Sequence, residues 1–582
     1  MRGSDLGVNR AEFAWLLATA CVLVFLALEP LLSFALFGSD TGEYYRLTAT
    51  LVTTGHFQAQ YPAYQGWGTG YPDFPGMFAL AGAVSGSLGV DPLSALLYTI
   101  PILGALAVFP AFLLFRRLFQ HDLVALLGAA FAGVAMPRMY ILAHPAPQAL
   151  GDLLVVAALW MYVQGRQDRR WYLPLGITSA ALIVTHHLSS YFFLLAALGG
   201  LILLELWRPG AWSHRFPTRE LAFSATFVVA LLAYWFYYAP RFLAITVGQI
   251  SLFTFFPPPV FLGIAVVVVV VLGLLVRVRR QRAGTPGGHV RFPSDRSVAI
   301  ETALIAGGTT AALAILLVVP LPPGNQHTTA GELLYFAPYY VPICLAAGTR
   351  RLLSLSRIGS FAIVWLGAMG ISLAVSVAVP SVGALLIPGR AVEFVAIPIA
   401  LLMALSLGRW IARARDRLGR PAAVAGVCVA ILLLAGNAAI IYPPQSDFGG
   451  FQEGLTLQDQ ALWLWAGTAL APHTAVASDH RLGSMMFGFD NLSPTYWTTP
   501  ALFNGDNWTM AAAELHSARA PLEPRVIQAV TVDAAMYTGV ALNPSDLALP
   551  LSPAALQWFS GPPFVPIYES GPQVVYWVDW GT

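Results

Sequence analysis

The chain has 582 residues, of which 57% are hydrophobic and only 10% are charged, and its net charge at pH 7 is +2. An ordinary soluble domain contains about 25% charged residues, so this composition, with a mean hydropathy of +0.67, predicts an integral membrane protein. The near-neutral charge argues against a nucleic-acid partner. The three cysteines, Cys21, Cys344 and Cys428, all lie inside apolar runs, so neither a disulfide framework nor a zinc cluster is expected.

Apolar runs of about 20 residues, the length that a helix needs to cross the hydrocarbon core, recur along residues 1–442. The first run is too long for the apolar core of a signal peptide, so we expect a retained span. The runs predict thirteen spanning helices, at 12–37, 93–115, 123–141, 148–164, 171–187, 190–207, 220–240, 258–276, 298–320, 333–349, 359–378, 391–408 and 422–442. The short, Gly-rich stretch 76–90 is predicted to be an interfacial helix inside the first outer loop, 38–92.

The basic residues give this scheme an orientation. All 31 are arginine, and with a cytoplasmic N-terminus most of them fall in cytoplasmic segments, as the positive-inside rule requires. An odd number of crossings then places residues 443–582 outside. The segments 525–537 and 563–580 of this tail have strand patterns, the second with a Gly-Pro turn. We therefore expect a mainly α, multi-pass protein of the cell membrane, with a transmembrane domain at 1–442 and a small extracytoplasmic α/β domain at 443–582.

Ionisable residues gather at the outer ends of the predicted spans. Asp40 and Glu43 lie in FGSDTGEYYRL, directly after the first span. Other charged or titratable residues at the same predicted depth are Arg138, His144, His186, His187, His327, Glu332, Arg390 and Glu393. Such groups are costly at a membrane boundary unless they are used or paired, so their convergence predicts a site. Carboxylates hold a divalent cation or remove a proton, and Arg and His neutralise phosphate, which favours chemistry on a lipid-linked phosphate.

Three features carry a resemblance to a known family: the motif D-x-x-E-Y-Y-R from Asp40 to Arg46, the pair Tyr71 and Pro72, and the amphipathic helix after it. They resemble the GT-C superfamily of polyprenyl-phosphate-dependent glycosyltransferases, and the layout is similar to the catalytic subunit of oligosaccharyltransferases. The resemblance implies transfer of a sugar or oligosaccharide from a polyprenyl-phosphate or pyrophosphate donor on the outer face of the bilayer, by single displacement with inversion.

The resemblance also implies residue roles. Asp40 matches the catalytic carboxylate of the family's first outer loop, helped by Glu43 and Glu332. The stretch HTTAGE, from His327 to Glu332, looks like the T-x-x-E element, so Asp40 and Glu332 are the implied ligands of a divalent cation, Mg or Mn. The implied donor-phosphate residues are Arg390, His186, His187, Arg138 and His144.

This chain departs from the family at two motifs. The stretch Ser478–Gly483 reads SDHRLG, where the family has W-W-D-Y-G, and offers Asp479, His480 and Arg481 as implied acceptor-binding residues. The second D-x-D motif is missing, and its segment offers only His144 and Asp152. The acceptor is therefore unknown, whether a protein, a lipid or a glycan, and a metal-independent mechanism stays open.

Each candidate also has a structural explanation. Asp40 and Glu43 fit a helix N-terminus, where acids are stabilised by the helix dipole. His186 and His187 fit a polar turn, Arg390 fits a pair with Glu393, and Glu332 fits a helix cap; His480 and Arg481 fit an ordinary domain surface. Two other functions remain open at this level. One is a transporter or flippase of a lipid-linked or small polar solute, and the other is a catalytically silent relative that binds lipid or glycan.

Overall fold

The computed structural model describes residues 10–57, 66–119, 121–207, 209, 212, 216–247, 258–283, 330–335, 337–338, 360–378, 382–443, 452–495, 499–519, 524–539 and 549–581. The predicted span 298–320 and the candidate His327 lie outside these residues.

Helices dominate the described part of residues 10–443. They are, with one short strand, α1 (Arg10–Leu32, its last turn 3₁₀), β1 (Leu36–Phe37), α2 (Thr41–Thr54), α3 (Gly76–Leu88), α4 (Pro92–Phe119), α5 (Asp122–Val134), α6 (Met136–Leu142), α7 (Pro147–Gly165), α8 (Tyr172–Thr185), α9 (His187–Trp207), α10 (Thr218–Tyr238), α11 (Pro240–Val247), α12 (Pro258–Ala283), α13 (Ala330–Tyr335), α14 (Ser360–Ala378), α15 (Val382–Leu418) and α16 (Arg420–Ala439). A 3₁₀ stretch, Gly66–Asp73, precedes α3.

Within the described residues, seven helices are long and apolar enough to cross a membrane, or eight when the bent pair α5–α6 is taken as one. The mainly α, polytopic architecture is thus confirmed, but the predicted count of thirteen spans is not. The predicted span 123–141 is not one straight helix, because α5 and α6 meet at 66°. Ala135 is extended at this break (ψ 121°), and Pro137 follows in the first turn of α6, where its missing N–H has no helical partner to lose.

The first outer loop contains two packed helices. The predicted interfacial segment 76–90 is the helix α3, which ends where Gly89 adopts a left-handed conformation. α3 buries Met77, Phe78 and Ala81, the spacing of one helical face. A Cβ on Gly76 would lie 2.3 Å from the hydroxyl oxygen of Thr185, so α3 begins in close contact with the end of α8.

Residues 452–581 contain a five-stranded mixed sheet with flanking helices. Its described elements are β2 (Gly454–Leu455), α17 (Leu457–Ala469), β3 (Ala475–Ala477), α18 (His480–Asp490), β4 (Ser493–Thr495), α19 (Pro500–Asn504), α20 (Trp508–Ser517), β5 (Ala518–Arg519), β6 (Pro524–Arg525), β7 (Ala529–Val532), α21 (Ala534–Thr538), α22 (Pro553–Phe559), β8 (Phe564–Ser570) and β9 (Gln573–Val578). The strand order is β4-β3-β7-β9-β8, with β3 parallel to β4 and β7 and the remaining pairs antiparallel.

The strand predictions in this part are confirmed for the β8–β9 hairpin, which turns at Gly571 (φ +61°). The predicted strand 525–537 is wrong in its second half. It ends at Val532, because the Asp533 side chain accepts the backbone N–H of Met536 and caps α21. The crossover between the parallel strands β3 and β4 is α18, the helix that matters most for the site.

Two contacts join this part of the chain to its beginning. β1 pairs antiparallel with β2, so the segment after α1 is hydrogen-bonded to the start of residues 452–581, the sheet domain. α2 runs beside α18 in the same direction, since Asp40 faces His480 at one end and Tyr45 stacks on Phe489 at the other. The N-terminal ends of α2 and α18 therefore lie side by side.

Candidate active site

Asp40 lies at the start of α2 and is hydrogen-bonded to the sheet domain. Its Oδ1 is 2.7 Å from Nε2 of His480, the first residue of α18 and 440 positions later in the chain. The Asp40 side chain is 30% exposed and the His480 side chain 8% exposed. The arrangement joins a carboxylate that the sequence predicted as catalytic with a histidine that it assigned to acceptor binding.

The helix-cap interpretation of Asp40 does not describe what its side chain does. Asp40 occupies the N-cap position of α2, but its carboxylate makes no capping hydrogen bond. The turn is fixed instead by the hydroxyl of Thr41, which donates to the carbonyl of Gly38 at 2.7 Å. Gly38 has φ +116°, a conformation that other residues rarely adopt. The Asp40 carboxylate is thus left for His480 and for the two tyrosines described next.

Tyr71 and Tyr44 lie at the other carboxylate oxygen. The Tyr71 hydroxyl donates to Asp40 Oδ2 at 2.7 Å, and the Tyr44 hydroxyl lies 3.2 Å from the same atom and 3.1 Å from the Tyr71 oxygen. Because a phenol has one proton, Tyr44 donates to one of these two acceptors at a time. The rings of the two tyrosines meet edge to face with centroids 5.0 Å apart. Both tyrosines lie in motifs that the sequence singled out, Tyr44 in D-x-x-E-Y-Y-R and Tyr71 in the pair with Pro72, but neither was assigned a role.

These partners keep Asp40 ionised. Burial would raise the pKa of the Asp40 carboxyl, but the hydrogen bond and charge of His480 and the hydrogen bond of Tyr71 bring that pKa below its usual value. Burial would lower the pKa of His480, whereas the hydrogen bond and charge of Asp40 raise it above its usual value. The two groups therefore form an ion pair at pH values between their shifted pKa values.

Glu43 is the second acid that the sequence predicted, and it differs from Asp40. Its side chain is buried, and its Oε1 has no hydrogen-bond partner in the described structure. Burial, and then the negative charge of Asp40, raise the pKa of Glu43 well above its usual value. Its backbone N–H lies 3.3 Å from the hydroxyl of Ser484 on α18. Glu43 therefore keeps its proton to a higher pH than an ordinary glutamate does, beside an Asp40 that loses its proton at a lower pH than usual.

A second acid–histidine pair lies next to the first. Glu453, in the segment before β2, accepts the backbone N–H of Ser39 at 2.7 Å and lies 3.7 Å from Nε2 of His144. His144 Nδ1 is 2.7 Å from the Tyr140 carbonyl. Burial would raise the pKa of Glu453, but the charge of the nearby His144 and the hydrogen bond from Ser39 lower it to about 2. Sequence analysis missed Glu453, because it lies in an unpatterned linker far from Ser39.

The other two acceptor-binding candidates contact groups of the protein itself. Asp479 accepts the backbone N–H of Leu482 and caps α18. Arg481 is 1% exposed and binds Asp479 at 2.7 Å, Asp533 at 2.8 Å and the Gly454 carbonyl at 2.8 Å. The expectation that His480 and Arg481 are ordinary surface residues is wrong, since both are buried.

Most of the predicted phosphate residues have side chains that the structure describes, and one, Arg390, does not. Arg138 is buried and pairs with Asp152 at 3.2 Å. His186 lies between α8 and α9 and accepts the Ser189 N–H as the cap of α9. The ring of His187 lies 5.2 Å from that of Phe74, three residues after Tyr71, so the segment 71–74 runs from Asp40 to the histidines. The side chains of Arg390 in α15 and Glu332 in α13 lie outside the described structure.

The N-terminal part of the chain matches a family model, and almost the whole chain is similar to a solved structure. Residues 41–142, which begin directly after Asp40, match the family model described as "Oligosaccharyl transferase STT3, N-terminal". The archaeal oligosaccharyltransferase AglB of Archaeoglobus fulgidus, solved with an inhibitory peptide and a dolichol-phosphate, is similar in structure, with a TM-score of 0.62 and 14% identity over 97% of this chain and 74% of that one.

The fold of this chain is similar to that of the archaeal oligosaccharyltransferase. The Archaeoglobus fulgidus enzyme tethered to an acceptor peptide with the NVT sequon gives a TM-score of 0.61 at 15% identity, covering 98% of this chain and 74% of that one. The same enzyme in complex with Zn and sulfate gives 0.55 at 15% identity, covering 89% and 68%. No curated protein matches the sequence. At these identities the likeness establishes the fold alone.

The resemblance of the first-loop motif implies a divalent cation at Asp40, and the described residues do not fit one. Both oxygens of Asp40 already accept hydrogen bonds, from His480 and from Tyr71. Glu453 is bound to Ser39 and His144, and Asp152 to Arg138. Across the described ranges, no three His, Cys, Asp or Glu side chains are arranged to hold a metal ion.

Proposed function

We propose that this protein is a membrane glycosyltransferase that transfers a sugar or oligosaccharide from a polyprenyl-phosphate or pyrophosphate donor to an acceptor on the outer face of the membrane. The observation that carries the proposal is the Asp40 carboxylate, which is ionised and held between α2 and α18 by His480 and Tyr71. A relative of the same fold binds a dolichol-phosphate, which supports a lipid-linked donor.

Asp40 is the proposed general base. The acceptor N–H or O–H gives its proton to Asp40 as its nitrogen or oxygen forms a bond to the anomeric carbon. The bond from that carbon to the phosphate oxygen breaks, and the phosphate leaves with the electron pair. This single displacement inverts the anomeric centre. General base catalysis contributes about 10²- to 10⁴-fold, which sets the scale of the effect expected on its loss.

The leaving phosphate gains negative charge, so it needs a positive or hydrogen-bonding environment. His187, at the N-terminus of α9, is the best supported candidate for this role, because the segment 71–74 brings it towards Asp40 and a helix N-terminus favours anions. His186 beside it and Arg390 on α15 are further candidates. Arg138 is a weaker one, since Asp152 already neutralises it. Grooves between the apolar helices would hold the isoprenoid chain.

The topology belongs to the same proposal. With a cytoplasmic N-terminus, α1 would deliver Asp40 to the outer surface, where the sheet domain would cover it. Acceptor and donor would then meet at headgroup level, the sugar in water and the lipid tail in the bilayer. The acceptor stays open among proteins, lipids and glycans.

The test uses purified full-length protein in proteoliposomes with a panel of radiolabelled polyprenyl-phosphate and polyprenyl-pyrophosphate sugars. Sugar release from the lipid is measured for the wild type, Asp40→Asn and the matched control Asp91→Asn. Asp91 is exposed and caps the first turn of α4, a role that Asn also fulfils. We expect release by the wild type and the control, and a loss of about 100-fold or more in Asp40→Asn.

Equal release by the wild type and Asp40→Asn would reject Asp40 as the base. Movement of intact labelled donor or of a small polar solute across the bilayer, unchanged in Asp40→Asn and without any release of sugar, would favour the transporter alternative. Donor binding without either activity would favour a silent lipid-binding relative.

A further inference from the structure

The hydrogen-bonding capacity of Asp40 is almost filled by the protein. A carboxylate accepts about four hydrogen bonds, two on each oxygen. His480 occupies one position on Oδ1, and Tyr71 occupies one on Oδ2, where Tyr44 lies within 3.2 Å as a second, shared donor. Little capacity therefore remains for a partner that is not part of the chain.

His480 is anchored by the residues on both sides of it. Asp479 caps α18 through the N–H of Leu482 at 2.9 Å. Arg481 binds Asp479 and Asp533 and also the carbonyl of Gly454, which lies in β2. β2 in turn pairs with β1, three residues before Asp40. These contacts connect the start of α18 both to β2 and, through β1, to the segment that carries Asp40. They thus hold the imidazole of His480 next to the Asp40 carboxylate.

Two other acids lie near Asp40 in the described structure. Glu453 is held by the backbone N–H of Ser39 and by His144. The Glu43 carboxyl is buried on α2, and its backbone N–H faces Ser484. A chelating cation at Asp40 would have to displace His480 or Tyr71, and the neighbouring carboxyl with an unpartnered oxygen in the described structure, that of Glu43, is buried.

We propose that His480 is a positioning residue that, together with Tyr71, holds the Asp40 carboxylate in the orientation of a one-site base without a divalent cation. This inference rests on the proposed function and deepens it. The one open lone pair of Asp40 takes the single proton of the acceptor nucleophile, while the sugar moves from the phosphate oxygen to that nucleophile. The sheet domain thereby completes the site instead of only binding the acceptor.

The first test compares His480→Gln with His480→Ala in the sugar-release assay. A Gln amide keeps an N–H donor that reaches Asp40, whereas Ala leaves the carboxylate free to rotate. We expect kcat to fall by about 100-fold in the Ala variant, with the KM for donor changed less than threefold, and to return to within about tenfold of the wild type in the Gln variant. The matched control is His473→Asn, because His473 is exposed and left-handed (φ +65°), a conformation that Asn tolerates.

Equal loss in the Gln and Ala variants, or a loss that falls on KM alone, would overturn the positioning role. A change in folding is detected by the thermal unfolding midpoint of each variant in detergent, and a variant that unfolds early is replaced by His480→Asn, which also keeps an N–H donor.

The second test needs no transfer activity. Mn²⁺ is titrated into metal-free wild type and Asp40→Asn, and bound Mn²⁺ is followed by electron paramagnetic resonance. We expect the two titrations to be indistinguishable. A stoichiometric Mn²⁺ site that Asp40→Asn abolishes would overturn the inference, even with the proposed function intact. A wild type that releases no sugar from any donor would reject the proposed function, and this titration would still decide whether Asp40 is a metal ligand.

Discussion

A Cβ atom on Gly488 would lie 2.0 Å from the carbonyl oxygen of Gly42, so α18 and α2 meet backbone to backbone. A Cβ on Gly42 would likewise lie 2.1 Å from the carbonyl oxygen of Ser484. Arg46 also joins the two helices along this line of contact, the α2–α18 seam, with Nη1 2.9 Å from the Phe487 carbonyl oxygen and the guanidinium 4.3 Å from the Phe487 ring centroid. This seam brings the two helix starts together and so sets the distance between Asp40 and His480.

The seam predicts the effect of one added methyl group. Gly488→Ala would force α18 away from α2, because the clashing atom is a backbone carbonyl that no side-chain rotation relieves. We expect sugar release to fall by about 100-fold, since a displacement of about 1 Å at the catalytic group has that effect. Gly86→Ala on α3 is the control, because a Cβ there meets nothing within 4 Å. Wild-type activity in Gly488→Ala would show that the seam does not set the site.

Loss of the Tyr71 hydroxyl is expected to lower kcat more than loss of the Tyr44 hydroxyl. Tyr71 makes the 2.7 Å hydrogen bond to Asp40 Oδ2, whereas Tyr44 shares its proton with the Tyr71 oxygen. Tyr71→Phe removes a hydrogen bond to a charged group, which is worth about 1.5–3 kcal/mol, and we expect a loss of about tenfold or more in kcat. Tyr44→Phe should cost less. Kinetics of the two variants with one donor decide the order, and a larger loss in Tyr44→Phe would contradict the assignment.

The buried ion cluster of the sheet domain predicts a stability effect. Arg481 neutralises Asp479 and Asp533, and all three side chains are buried. Arg481→Met leaves two carboxylates together without a cation, and breaking a buried pair in this way costs about 3–5 kcal/mol. Thermal unfolding in detergent should therefore begin at a clearly lower temperature. Arg415→Ala, at an exposed pair with Asp416, is the control and should change the unfolding temperature little. An equal effect of both changes would be inconsistent with a structural cluster.

Much of the architecture follows from local sequence. Apolar runs predicted the long helices, and alternation predicted the β8–β9 hairpin, because both signals depend on residues close in the chain. The bend between α5 and α6 was missed, since Pro137 is compatible with the first turn of a helix and with a break. The helix α21 was missed because Asp533 caps it within a run of strand-forming residues.

The candidate site depends on contacts between residues that are far apart in the sequence. Asp40 was predicted from its place after the first apolar run and from a motif. Its partner His480 lies 440 positions away, and no local pattern connects the two. Glu453 was missed for the same reason, because its partners Ser39 and His144 belong to other elements. Pairing across the α2–α18 seam is a property of tertiary packing, which periodicity within one segment does not encode.

The Asp490 carboxyl makes the stability of the folded protein depend on pH. It ends α18, where the helix dipole disfavours a negative charge, and its Oδ2 is buried without a hydrogen-bond partner in the described structure. Burial raises the pKa of Asp490 to about 7, against an unfolded value of about 3.9. Between these values the folded state binds more protons than the unfolded state, so stability falls as pH rises and stays low above pH 7.

Asp490→Asn removes this penalty, because the amide carries no charge to desolvate. At pH 8 we expect the variant to be more stable than the wild type by about 1–2 kcal/mol, less than the full pKa shift would give because water screens the partly exposed carboxylate, and the gain should shrink as the pH is lowered to 5. Thermal unfolding at both pH values measures the difference, with Asp506→Asn at an exposed position as the control. A gain that is the same at pH 5 and pH 8 would mean that the shape of the side chain at position 490, and not its charge, limits the stability of the folded state.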